Sequence, residues 1–312
     1  MTDTLEKTAP AATSKPRRRR RGRLLTRRDK IVLWVMVGIP AAIHLTFVWV
    51  PAVLSVLLSF TSWDGIGGIS TIKWAGFQNY HNVFTNYPPF WPAIKHNLIW
   101  LAFFIIFPTI FGLLLAVCLD KSIRFSRIYQ GILFMPVVLS LALVGFIWQL
   151  MYSTDQGFVN GLLGTDINWL GDSRINLWAI MVAASWRHTG YIMILYLAGL
   201  KSVDPSLREA AALDGAGEWQ TFRSVVFPAL RPINIVVLVV TVIESLRAFD
   251  IVYVTNKGTN GLELVSVLIT NNILGEASRI GFGSALAVIL LIVSLVFIFV
   301  YLAQVFREDR GK

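Results

Sequence analysis

The sequence predicts an all-α, polytopic membrane protein with six transmembrane helices, and three observations carry that prediction. The chain is 55% hydrophobic and only 15% charged, too apolar to give a fold of 312 residues a water-soluble surface. Six stretches, 31–60, 98–119, 128–151, 177–200, 233–254 and 282–306, reach the length of about 20 residues that a helix needs to cross about 30 Å of hydrocarbon. Basic residues segregate. The arm before Ile31, the 120–127 loop, the 201–232 loop and the tail after Phe306 hold 21 of the 28, and the opposite side holds five: Lys73, Lys95, Arg174, Lys257 and Arg279. Positive charge stays inside, so both termini are expected in the cytoplasm, with the spans in the cell (inner) membrane.

Residues 1–30 hold eleven basic residues and end in RRRRRGRLLTRRDK. They resemble neither a secretory signal nor an amphipathic targeting helix and are expected to be a basic, disordered cytoplasmic arm resting on anionic headgroups. The net charge of +10 is therefore largely a property of the arm and does not imply nucleic-acid binding. Residues 31–306 form the six-helix domain and 307–312 a cytoplasmic tail. The first stretch is longer than a span requires, and Pro40 and Pro51 can bend it; no role is assigned to His44. The outer loop 61–97 (WDGIGG, KWAGFQNY, NYPPFWP) suits short interfacial helices with rings at headgroup level, and could also receive an extracytoplasmic partner. Cys118 is the single cysteine, which excludes an internal disulfide or a multi-thiolate metal site and suggests a packing role.

The cytoplasmic loop 201–230 is punctuated. Asp204 is placed to N-cap a helix with Pro205 at its first position, and Asp214-Gly215 supplies a left-handed stop. A second helical run from Glu218 places Trp219, Phe222 and Val226 on one face before Pro228 ends or bends it. Ala210, Ala211 and Ala212 make the first helix thin enough to enter a groove on another protein, with Arg208 and Glu209 at the rim. An amphipathic connector lying on the membrane is the other reading of the same pattern.

Glu209-Ala210-Ala211, Asp214-Gly215-Ala216, Trp219, Phe222 and Pro228 resemble the EAA loop of ABC-importer permeases. The spacing matches too: three residues from the second alanine to the glycine, and the proline thirteen beyond. The likeness extends over roughly 31–306 to the maltose-type branch of sugar permeases through GFQNY at Gly76, Met135-Pro136, FDIVYVTNKG at Phe249 and GFGSALA at Gly281. Lys257-Gly258-Thr259 departs from the family's usual Gly-Gly-Pro turn. The resemblance implies a type I ABC importer transmembrane domain that couples to ATPases through Glu209, Ala210, Ala211, Asp214, Gly215, Ala216, Trp219, Phe222 and Pro228. It implies as partners a second homologous permease in a heterodimer, two ATP-binding-cassette subunits, an extracytoplasmic solute-binding protein and a sugar, besides membrane lipid. The chain itself is expected to be no enzyme and to hold no cofactor, with ATP and magnesium bound by the partner subunits.

Ionisable groups at membrane depth are costly unless paired or facing water. Arg187, His188 and Tyr191 lie within one helical turn of the fourth stretch, and Glu244 and Arg247 lie three apart in the fifth. By position these residues match places where maltose-type permeases line the sugar path. A Glu244–Arg247 salt bridge that only holds helices together is the competing reading, and His188 on its own suits a satisfied interior histidine. No Gly-rich lysine loop, metal cluster or nucleophile–base pattern is present. Two other classes remain to be weighed: a proton-driven secondary transporter using His188, Glu244 and Arg247, against which the loop argues, and a scaffold, which leaves the intramembrane charges unexplained.

Overall fold

The computed structural model describes residues 26–66, 68–121, 124–275 and 278–309. Residues 1–25, most of the predicted arm, and 310–312 of the predicted tail lie outside the described residues. The described residues are overwhelmingly helical, with no strand and one isolated bridge between Thr61 and Trp74.

The chain divides into two units, Met1–Ala52 and Val53–Lys312. In the first, α1 (Arg27–His44) opens on a capping box in which the Thr26 hydroxyl accepts from Asp29 N–H and the Asp29 carboxylate accepts from Thr26 N–H. No α1 residue is buried, and Trp34 and Met36 stand among its exposed apolar side chains. A helix that is apolar and exposed along its length belongs in lipid. Pro40 is accommodated inside α1, whereas Pro51 follows a π-helical stretch, Leu45–Trp49. Proline has no N–H to donate and its ring crowds the preceding turn, and the wider π turn makes room for it. The helix resumes as α2 (Val50–Leu58).

The second unit is built around two long helices. After α3 (Gln78–Thr85), α4 (Phe90–Asp120) runs against α8 (Asn176–Ser202). Between them in sequence lie α5 (Ser126–Val138), α6 (Leu141–Met151) and α7 (Phe158–Leu163). The predicted cytoplasmic loop holds α9 (Pro205–Leu213), α10 (Glu218–Thr221) and α11 (Phe227–Ala229). The chain closes with α12 (Arg231–Leu246), α13 (Asp250–Asn256), α14 (Val265–Leu274) and α15 (Ile280–Asp309).

More than half of α8 is buried, and Gly190 shows how it is approached. A Cβ there would lie 2.4 Å from the Leu133 carbonyl oxygen of α5, so only glycine permits the observed packing. Three core clusters follow: Trp100, Phe104, Ile180 and Ile251 in the middle; Ala116, Ile192, Tyr196 and Leu230 toward the α9 loop; Val83, Phe90, Val265 and Phe282 at the other end.

Among the described residues three helical runs, Arg27–Leu58, Phe90–Asp120 and Ile280–Phe299, are each long and apolar enough to cross a membrane, and the number is five if each of two bent pairs counts as one span. The stretch 177–200 falls in α8, whose composition is moderated because it faces protein more than lipid.

Three sequence expectations need correction. The stretch 128–151 is not one continuous helix: α5 and α6 meet at 100°. Leu139 and Ser140 are extended between them, just past Pro136, and the Ser140 hydroxyl accepts from Leu143 N–H to start α6. The stretch 233–254 is also interrupted, at 247–249 between α12 and α13. Cys118 lies on an exposed face of α4 and not in the core. The outer loop holds the expected short helices, with Trp74, Phe77 and Trp91 exposed as an interfacial belt. At the end of α13 Lys257 takes φ +56° and Gly258 +68°, so a lysine occupies a left-handed position that glycine adopts at less cost.

Gly190→Ala should lower the thermal stability of the detergent-solubilised protein by about 1–3 kcal/mol through forced separation of α5 from α8. Gly131→Ala, where a Cβ would meet nothing within 4 Å, should not. Equal melting midpoints for both variants would show that α5 yields without cost. Lys257→Gly should raise the midpoint by relieving about 1 kcal/mol of left-handed strain.

Candidate functional site

The 201–230 loop folds as its punctuation demands. The Asp204 carboxylate accepts from Ser206 N–H at 2.9 Å, which caps α9 and holds that carboxyl below its usual range. Gly215 takes φ +81° and closes the turn, with its N–H donating to Ala212 O at 3.1 Å. The second helical run does not stop at Pro228. It widens into a π-helical stretch, Phe222–Val226, the same accommodation seen before Pro51, and breaks at Leu230, where the following helix departs at 70°.

Exposure sorts the loop residues into two faces. Ala211 is buried and Ala216 and Phe222 are half-buried, so these three pack inward. Glu209, Ala210, Asp214, Gly215, Trp219 and Pro228 are exposed. Leu213 is 90% exposed and Trp219 72% exposed, which leaves an apolar, thin surface directed away from the chain.

Sequence reasoning missed what fixes this loop to the spans. Asp120, the last residue of α4, accepts from Arg208 Nη1 at 2.9 Å and lies 3.0 Å from Lys201 Nζ, while its own side chain is only 11% exposed. Arg208 Nη2 also donates to Leu200 O, a terminal carbonyl of α8. One carboxylate thus joins α4, α8 and α9. A signal did exist: an acid at a helix C-terminus opposes the helix dipole and calls for a cationic neighbour. A second pair, Lys121 Nζ to Glu218 at 2.7 Å, is solvent-exposed and contributes little, although it pulls the Glu218 carboxyl down and the Lys121 ammonium up from their ordinary values.

Within the bundle, the five predicted path residues are not all together. Arg187, His188 and Glu244 line one small cleft with Trp100, Phe104 and Phe249. His188 is buried, its Nε2 3.1 Å from the Thr241 hydroxyl and its ring tilted against that of Phe104, with centroids 5.1 Å apart. Arg187 Nε donates to the Leu139 carbonyl at 3.2 Å. That carbonyl belongs to the extended residue between α5 and α6, so the arginine satisfies a group that the helix break releases. Tyr191 sits half-buried one turn along α8, and Arg247 is exposed at the break after α12. No ion pair joins Glu244 and Arg247 among the described residues, which removes the salt-bridge reading. Leu141 and Ala248 also line the cleft, so it lies between the two helix interruptions. Among the described residues no group of His, Cys, Asp and Glu side chains could hold a metal ion.

Asp120→Ala should leave Arg208 and Lys201 without their shared partner and loosen α9. Trypsin cleavage after Lys201 and Arg208 in mild detergent should accelerate several-fold. An unchanged rate would mean that apolar packing alone holds the loop.

Comparison with known proteins places these features. The family described as binding-protein-dependent transport system inner membrane component matches residues 108–310. A probable ABC transporter permease protein of Pyrococcus horikoshii is 32% identical over 88% of this chain and 96% of its own. The lactose transport system permease protein of Rhizobium radiobacter is 32% identical over 73% of this chain and 77% of its own. The crystal structure of a bacterial alginate ABC transporter in complex with an alginate pentasaccharide-bound periplasmic protein contains a chain of the same fold. It superposes with a TM-score of 0.76 at 22% identity, covering 88% of this chain and 93% of the other.

Proposed function

The chain belongs to the family of binding-protein-dependent transport system inner membrane components, and from that premise we propose that it is the sugar-conducting permease of an ATP-driven importer, coupled to its ATPases through the 201–230 loop. The observation that carries the reading is the α9–α10 pair: a capped, glycine-closed helical lever whose thin apolar face is exposed while its root is ion-paired to α4 and hydrogen-bonded to α8. A surface of that kind is complementary to a groove on a partner.

In this reading two cytosolic ATP-binding-cassette subunits bind ATP and magnesium and receive the lever on Glu209, Ala210, Asp214, Gly215 and Trp219. Ala211, Ala216 and Phe222 seat it, and Pro228 sets the turn into α12. A second, homologous permease completes a heterodimer, and an extracytoplasmic solute-binding protein delivers the solute. Sugar as the substrate class is favoured by the lactose permease among the relatives, and the binding-protein partner by the alginate transporter complex. Cytoplasmic termini in an inner membrane follow from the charge asymmetry.

The cleft between the helix breaks is the proposed solute path. Interrupted helices present unpaired backbone groups at membrane depth, and transporters place solutes at such interruptions. Arg187, Glu244 and, at the rim, Tyr191 and Arg247 would offer hydrogen bonds to hydroxyl groups, with Trp100 and Phe249 as apolar walls. His188 acts by orienting Thr241 and the facing helix. Closure of the ATPases moves the lever, and the spans rock between states that differ in affinity for the solute.

Gly215→Pro cannot adopt φ +81°, and Glu209→Lys reverses an exposed charge on the lever. Each should abolish ATP-driven uptake by the reconstituted transporter while membrane insertion persists, and normal uptake in both would dispose of the lever. Glu244→Gln and Arg247→Ala should weaken transport or shift its sugar selectivity by several-fold. A fall in protein abundance alone would assign these residues to packing.

A further inference from the structure

At the end of α4 opposite the lever lies a recess that the transport reading leaves unused. α4 has 31 residues, so ~46 Å of helix separates its ends. Around its Phe90 end, the segment after α2, helix α3 and the start of α15 enclose an open cleft of about 370 Å³, within the range of small-molecule sites.

Its lining alternates flat apolar surface with forked polar groups. Trp63 and Asp64 form one wall, Asn82, Asn86 and Tyr87 a second, and Arg279 a third. Asn82 and Asn86 are four residues apart and share a face. The Asn86 amide donates to Asn82 Oδ1 at 3.2 Å, which leaves the Asn82 amide group to donate and the Asn86 carbonyl to accept. Tyr87 accepts from Asn272 at 2.9 Å and keeps its own proton to give. Asp64 accepts from Ile66 N–H through one oxygen, and the other remains available. The Arg279 guanidinium lies 5.6 Å over the Phe282 ring, a planar donor on an aromatic floor. The indole N–H of Trp63 is out of solvent with no hydrogen-bond partner among the described residues, which is unusual for a buried donor.

Vicinal hydroxyls both donate and accept, and their ring carries an apolar face. Forked amides and a carboxylate beside aromatic rings answer that pattern. Asp64 and Arg279 balance, so the cleft favours an uncharged ligand over an anionic one. We infer that this cleft is an outer carbohydrate subsite, which holds a neutral mono- or disaccharide on the extracytoplasmic face apart from the path between the helix breaks. The inference rests on the sugar-importer reading and adds a second place of contact to it.

The test uses the full-length permease in nanodiscs without any binding protein, titrated with maltose, lactose, trehalose and xylose by saturation-transfer NMR. At least one sugar should bind, and Asn86→Ala and Asp64→Asn, both at exposed positions that spare folding, should each weaken it five-fold or more. Binding by none of the four, or binding that both substitutions leave unchanged, overturns the inference. So does a loss confined to binding-protein-stimulated ATPase activity with sugar binding intact, which would make the cleft a protein-docking surface. Absence of ATP-driven uptake of any sugar by the unaltered transporter would fail the importer reading itself and this inference with it.

Discussion

The close packing of α4 along α8 is the interaction on which the rest of the second unit depends. Trp100 and Phe104 cluster with Ile180 and Ala184 in the middle of the seam, and Ala116 and Leu119 with Ile192 and Tyr196 near its Asp120 end. Small residues let the backbones approach, and in a bilayer such approach supplies the packing that a hydrophobic effect between helices cannot. Every functional feature hangs from this pair: the lever from its Asp120–Lys201 end, the cleft from its middle, and the outer recess from its Phe90 end.

The second constraint is that every backbone polar group must find a partner inside the protein. Two helix interruptions violate the simplest solution, and each is answered by a side chain. Arg187 reaches the Leu139 carbonyl, and the Ser266 hydroxyl donates to the Ala248 carbonyl. His188 likewise meets Thr241. The intramembrane polar residues of this chain therefore have two jobs. Some stabilise irregular backbone, and the irregular backbone in turn leaves a cleft lined by Glu244, which makes no ion pair among the described residues.

Much of this was legible in the sequence, and the illegible part has a common physical character. Asp204, Pro205 and Gly215 act within a few residues of themselves, so capping and left-handed turns could be read directly and were observed as expected. Apolar stretches announced the long helices because hydropathy accumulates over a window. The break at Leu139 could not be read in the same way. Met135-Pro136 signals a bend, but an extended pair beyond it depends on Arg187, 48 residues away, taking the freed carbonyl. Asp120 at a helix C-terminus signalled the need for a cation but not which one, since Arg208 lies 88 residues along the chain. The five proposed path residues were found by their cost in lipid, which identifies who needs an explanation and not which of them converge.

Mechanical continuity follows from where the rigid segment lies. Arg187 and Ser202 stand on one unbroken helix, 15 residues and so ~22 Å apart. At its C-terminal end α8 is bound to α9 by Arg208 on the Leu200 carbonyl and to α4 by Lys201 on Asp120. In the proposed coupling, a displacement of the lever would be passed to a stiff rod whose far portion carries Arg187, which donates to the carbonyl freed at the α5–α6 break. A flexible connection at either point would absorb the motion. On that proposal a push on α9 would reach the cleft through two contacts screened from solvent, the partly buried ion cluster at one end and the arginine–carbonyl bond at the other.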